Sequence, residues 1–176
     1  MLNTRNRARA ALTSTLLVVL TLTASPAYGA DRDSAPDACW LNADTSVVQC
    51  FDDSTALDAA VLAQTGGKLV RLASASEKPA GVLAIFTMAE FYINASYGGS
   101  FYTVSSSSST ICTTGIGQNG NLTGIFNNSV SSLKTYIGCQ AKLYDGAGLT
   151  GATYGPVTTT PGVGAFNDRA SSFRVD

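Results

Sequence analysis

Apolar and polar positions fall into two textures along this chain. In CWLNADTSVVQC (39–50), two short apolar-rich runs flank the turn residues Asn42 to Thr45, which predicts a hairpin. DDSTALDAAVLAQTGG (52–67) offers Asp53 or Ser54 as an N-cap, apolar Leu57, Val61 and Leu62 at helical spacing, and Gly66-Gly67 as a stop. That pattern predicts a short amphipathic helix. KLVRLA (68–73) reads as a further strand, and SASEKPA (74–80) as a small, polar, proline-bearing linker. Beyond it helical periodicity disappears. Short apolar runs are punctuated by Gly, Ser, Thr and Asn, as in an all-β sandwich or barrel. SSSSST (105–110) reads as a solvent-exposed strand edge or loop.

The first thirty residues have a different character. Arg5, Arg7 and Arg9 precede one short apolar run, Ala10 to Thr23, and ASPAYGA (24–30) supplies small residues for cleavage. This is the layout of an export signal, and the run is shorter than the roughly 20 apolar residues a membrane span needs. The expected organisation is a signal peptide over 1–30, a hairpin–helix element over 31–73, a linker over 74–81 and a β domain over 82–176. Without the three signal arginines, 8 basic residues face 12 acidic ones, a net charge of −4. A mildly acidic chain lacks the basic face that nucleic acid requires. No later segment is apolar enough to cross a membrane, and the exported chain is read as a secreted monomer.

Four cysteines in an exported chain predict disulfides, with three pairings open. Proximity favours Cys39–Cys50 and Cys112–Cys139. The absence of histidine removes any ordinary catalytic triad, and the cysteine spacings match no zinc pattern. Asp52-Asp53 is the one adjacent carboxylate pair and reads as helix capping. The chain is therefore read as a non-enzyme.

The second half repeats itself. FYINASYGG (91–99) aligns without gaps on LYDGAGLTG (143–151), and FNNSVSS (126–132) on FNDRASS (166–172). The first copy carries about a dozen extra residues around Ile111 to Leu122. Gly99 and Gly151 suit a positive φ, Tyr92 and Tyr144 would cover a folded hairpin, and Ser132 and Ser172 would hydrogen-bond back to it. This skeleton resembles the βγ-crystallin superfamily over roughly Val82 to Val175, although Leu149 departs from the aromatic residue expected there. The resemblance implies a mainly β, double Greek-key sandwich with an approximate internal two-fold, its keys spanning about 82–136 and 139–176.

The resemblance also implies calcium. The superfamily's signature of two Asn/Asp, two free positions, Ser/Thr and Ser is met by 127–132 and again by 167–172. Carried over, Asn127 and Asn167 open the two turns, and Asn128 and Asp168 become side-chain ligands. Ser129 and Arg169 become carbonyl donors, and Ser131 and Ser171 give hydroxyls to the partner turn. Asp168 is the one carboxylate among these residues, so weak sites are expected, since affinity falls with ligand charge.

The segment from Cys112 through GIFNNSVSSLKTYIGCQAKLYDGAGLTG resembles the secreted actinobacterial peptidase inhibitor family I36, whose founding members block metalloproteinases. That resemblance implies a Cys112–Cys139 disulfide and an extracellular protease as partner. The loop Thr110 to Leu122 is the candidate for presentation, although it lacks a bulky aromatic anchor. The alternative is a structural or stress-associated extracellular calcium-binding module. The lone tryptophan, Trp40, is expected to fill a core rather than a binding hot spot.

Overall fold

A computed structural model describes residues 35–77 and 80–176; the export-signal expectation lies outside them. Strand alternation after residue 80 builds two facing sheets, because each strand's apolar positions must find a second layer. Four strands, β4 (Ala84–Asn94), β5 (Gly98–Ser106), β6 (Gln118–Asn121) and β7 (Ser132–Thr135), make the first key. β8 (Ala141–Gly146), β9 (Thr150–Val157) and β10 (Ser172–Val175) carry the second.

The keys exchange their third strands. β6 leaves the first key to pair with β10, while Thr160 of the second key bridges to Leu133 on β7. Leu133 and Thr160 trade both backbone hydrogen bonds, at 3.1 and 2.9 Å. The result is a double Greek-key β-sandwich in which neither key's sheet is complete alone. Between the sheets, the Phe91 and Phe173 rings lie 4.8 Å apart, and Tyr102 meets Phe126 and Phe173 edge-on. Such tilted contacts suit ring quadrupoles better than face-to-face stacking.

The N-terminal segment belongs to the same sheet. β1 (Ala38–Asn42) and β2 (Val47–Phe51) form the expected hairpin, with Cys39 opposite Cys50 and the two joined as a disulfide. β1 then pairs in parallel with β5, from Ala38 opposite Phe101 to Asn42 opposite Ser105. β3 (Lys68–Val70) pairs in parallel with the start of β4, and β7 pairs with its later half. Residues 71–83 thus connect two neighbouring strands of one sheet. The second disulfide is Cys112–Cys139.

The outer face of this sheet is covered by α1 (Ser54–Thr65). Asp53 caps it by accepting from the Ala56 N–H at 2.7 Å, and Gly66 closes it at φ 69°. Leu57 and Val61 bury against Ala38, Trp40 and Ile85 in a second apolar cluster. Trp40 is a core residue, as expected, and its indole Nε1 donates to Ser105 Oγ at 2.7 Å.

That bond corrects one reading. Ser105 and Ser106 are buried within β5, and only the rest of the serine run forms an exposed loop. Composition misleads here because the hydroxyls meet specific partners, Trp40 and Asp44 (2.7 Å). Trp40→Phe is expected to cost about 1–3 kcal/mol, chiefly by orphaning the Ser105 hydroxyl. Urea midpoints of the two proteins measure it.

Candidate functional site

Each repeated FN(N/D)xxSS segment opens with one short 3-10 turn, Gly124–Phe126 or Gly164–Phe166, whose phenylalanine is buried. The buried ring pins the turn, so the next residues must climb out of the core. Asn128 and Asp168 do so at φ 57° and 56°, a left-handed conformation that Asn and Asp tolerate better than most residues. Val130 and Ala170 then drop back into the core, fully buried. The alternation of exposed oxygen-bearing residue and buried apolar residue sets each corner's shape.

The two corners face each other. The Asn128 N–H donates to the Ala170 carbonyl at 2.8 Å, and the Asp168 N–H to the Val130 carbonyl at 3.3 Å. Their side chains cross in the same reciprocal way. Ser171 Oγ donates to Asn128 Oδ1 at 3.0 Å, and Ser131 Oγ lies 3.4 Å from Asp168 Oδ1. Ser131 Oγ also donates to the Ile93 carbonyl at 2.8 Å. The final serines tie the corners to the opening hairpins, as expected. Ser132 bonds the Asn94 carbonyl (2.6 Å) and the Tyr97 N–H (3.0 Å); Ser172 bonds the Gly146 carbonyl (2.6 Å) and the Leu149 N–H (3.0 Å).

The hairpins themselves match. Gly99 and Gly151 have φ 72° and 82°, and a Cβ at either would collide with the Asn94 or Asp145 side chain. Tyr97 and Leu149 both adopt φ 64°, so the departure at Leu149 leaves the backbone conformation intact.

All eight residues singled out from the sequence lie in these corners, with unequal surroundings. Asn128, Asp168, Ser131 and Ser171 form the crossed pairs. Ser129 Oγ turns back to the Asn127 carbonyl at 3.3 Å, and Asn167 Nδ2 donates to Asp168 Oδ2 at 2.6 Å. Arg169 reaches Asp145 through Nη2 at 2.8 Å, and its guanidinium lies 5.1 Å from the Phe166 ring centre. Among the described residues, no hydrogen bond reaches the Ser129 or Arg169 carbonyl oxygens.

Ile93 and Asp145, equivalent positions in the two hairpins, each hold a corner residue, Ser131 and Arg169 respectively. The gapless alignment of the two hairpins was the signal that pairs them. It does not tell which carbonyl accepts a hydroxyl.

As a donor set the corners are wholly oxygen: one amide or carboxylate, one hydroxyl and neighbouring carbonyls. Two oxygens each about 2.4 Å from one calcium ion stand roughly 3–3.5 Å apart. The crossed pairs, at 3.0 and 3.4 Å, have that spacing. An all-oxygen donor set of this kind is what a hard cation takes. Among the described residues, no three His, Cys, Asp or Glu side chains gather to hold a metal, so Asp168 supplies the corners' carboxylate alone.

The structure is distantly similar to βγ-crystallin domains. A double mutant of a βγ-crystallin domain from Clostridium beijerinckii matches with 26% identity, covering 50% of this chain and 94% of its own, at a TM-score of 0.40. The N-terminal domain of Protein S matches with 24% identity over 51% of this chain and 94% of its own, at 0.41. A βγ-crystallin domain from Flavobacterium johnsoniae matches with 24% identity over 51% and 93%, at 0.38. No protein-family model and no curated protein matches the chain.

Proposed function

We propose that this is an extracellular βγ-crystallin-like structural module whose paired corners each bind one calcium ion weakly. The observation that carries the proposal is the reciprocal crossing of Ser131 with Asp168 and of Ser171 with Asn128. Without an ion, Ser171 donates to Asn128 Oδ1 on the partner corner, while Ser131 donates to the Ile93 carbonyl and approaches Asp168 Oδ1 at 3.4 Å. With one, both oxygens would turn their lone pairs to the cation. Asn128, Ser171 and the Ser129 carbonyl would serve one ion; Asp168, Ser131 and the Arg169 carbonyl the other.

Calcium would supply charge that cross-links the two keys, because each ion draws ligands from both. An ion bound only by the folded chain adds stability by linkage, about 1.4 kcal/mol per site at tenfold excess over Kd. Sites with so little charge belong among those of about 10⁻⁴–10⁻³ M affinity. The two disulfides favour an oxidising compartment, in agreement with the expected export signal. Among the described residues, no helix is long and apolar enough to cross a membrane.

Thermal unfolding tests the proposal. About 10 mM calcium should raise Tm by several degrees, and magnesium by much less. Asp168→Asn should lower the affinity of one step of a two-step titration and leave the other. An unchanged Tm at that calcium concentration makes the corners purely architectural and overturns the proposal.

One observation favours a second reading. Ile116, 72% exposed, projects from the loop that Cys112–Cys139 anchors. A tethered apolar residue of this kind suits presentation to an extracellular protease cleft, since preorganisation lowers the cost of binding. Titration against a thermolysin-like metalloprotease distinguishes the readings, because inhibition requires stoichiometric loss of activity and the structural module gives none.

A further inference from the structure

The outer face of the first sheet is not wholly covered by α1. Past the helix's first turn a cavity of about 390 Å³ opens, with Glu90 at its base and Arg71, Lys134, Tyr136 and Asp58 around it. Glu90 is 2% exposed and fully engaged. Arg71 Nε donates to its Oε1 at 2.6 Å, and the hydroxyls of Tyr92 and Tyr136 donate to its Oε2 at 2.6 and 2.8 Å. Burial, followed by the carboxylate itself, pushes both phenols well above their ordinary range, so they remain donors to Glu90.

This arrangement orients a cation. Arg71 is held through Nε, so Glu90 leaves the two Nη groups unused. A fixed guanidinium offering two parallel N–H groups matches a carboxylate in a bidentate way. A second cation stands beside it: Lys134 Nζ sits 4.5 Å from the Tyr97 ring centre and 5.7 Å from that of Tyr92. Among the described residues, Lys134 pairs with no carboxylate. Buried ion networks of the Glu90 type contribute little net stability compared with apolar packing, so stability alone does not account for this one.

The remaining walls define the rest of a ligand. Phe101 packs 6.0 Å from Tyr92, giving the cavity an apolar side. Asp58, on α1, makes no hydrogen bond through its side chain among the described residues and adds an acceptor to the lining, near enough to Arg71 to favour its charge. Asp58 also disfavours a ligand carrying negative charge throughout. The cavity depends on the N-terminal segment, since Ser54, Asp58 and Arg71 precede the first key.

We infer that this cavity is a binding site for a carboxylate joined to an apolar body and a nearby N–H donor, as in an N-acylated aromatic amino acid or the C-terminal residue of a peptide. The carboxylate is received by Arg71 Nη and Lys134, the apolar body lies against Phe101, and the donor faces Asp58. The volume lies within the usual range of small-ligand sites. The site shares no lining residue with the eight corner residues.

Calorimetric or NMR titration of the disulfide-bonded protein with N-acetylphenylalanine and with its amide tests the inference. Saturable binding of the acid is expected, with the amide at least about tenfold weaker, since it forfeits charge-assisted hydrogen bonds. Lys134→Gln should weaken the acid by about tenfold and lower Tm only slightly, because Lys134 holds no ion pair and loses only its contacts with the Tyr97 and Tyr92 rings. Arg71→Lys retains a charge beside Glu90 and should also weaken the acid, through loss of the bidentate fork. A short peptide ending in phenylalanine distinguishes the sources. Tighter binding than the free acid assigns the site to peptide termini, and equal binding assigns it to small acids. Absence of saturable binding by either, or equal binding of acid and amide, overturns the inference.

Discussion

Arg71→Met should destabilise the protein by about 3 kcal/mol, read as a lower urea midpoint at unchanged slope. The cause lies in what it leaves behind. Glu90 is 2% exposed, and its charge is offset by Arg71, the residue just past β3. Removing one partner of a buried pair costs about 3–5 kcal/mol, because the surviving charge stays desolvated. The low end applies here, since the Arg71 side chain is 36% exposed and Tyr92 and Tyr136 continue to donate.

A double variant separates this from lost packing. Arg71→Met with Glu90→Gln removes both charges and keeps an acceptor for the two phenols, and should recover most of the loss. A double variant no more stable than the single one would place the cost in the arginine stem instead. The cycle is informative because contacting residues couple strongly.

Replacing Cys112 and Cys139 together with alanine should cost about 3.5 kcal/mol, which in a domain of this size lowers Tm by roughly 10 °C. The bridge spans a separation of 27 residues, so its loss returns considerable freedom to the unfolded chain. It also ties the loop after β5 to the connection between β7 and β8, where Cys139 is buried. Native-state loosening should therefore appear first around Ile111 to Gly117, as faster amide exchange. A Tm within about 2 °C of the parent would mean that the loop is held by the sheet alone, without the cross-link.

Much of the architecture could be read in advance, and the reasons differ by element. The β1–β2 hairpin and α1 carry local signals: turn residues between apolar runs, an Asp cap and a glycine stop. The corners carried a different one. Phe, two amide or carboxylate residues and a serine doublet recur at equivalent points of an aligned repeat. Both disulfides follow from proximity along the chain.

Other features had no local signal. Ser105 looks like loop material until Trp40, 65 positions earlier, brings its indole to the hydroxyl. Glu90 was legible only as a lone charge in the apolar run AIFTMAEFYIN; its three donors come from three strands or their flanks. The parallel join of β1 to β5 is equally non-local, since an edge strand's free N–H and C=O groups accept any strand in register.

The sequence by itself determined the duplicated keys, the stapled hairpin, the capped helix and the oxygen-bearing corners. Each of these rests on neighbours a few residues apart or on a repeat visible by alignment. Only the tertiary structure decided that the keys trade their third strands, that the corners cross hydroxyl to amide and hydroxyl to carboxylate, and that a buried glutamate holds an arginine at the edge of a cavity. Those arrangements join groups tens of residues apart. What selects them is the burial of two sheet faces and the pairing of most desolvated polar groups, conditions that hold only once the whole chain is folded.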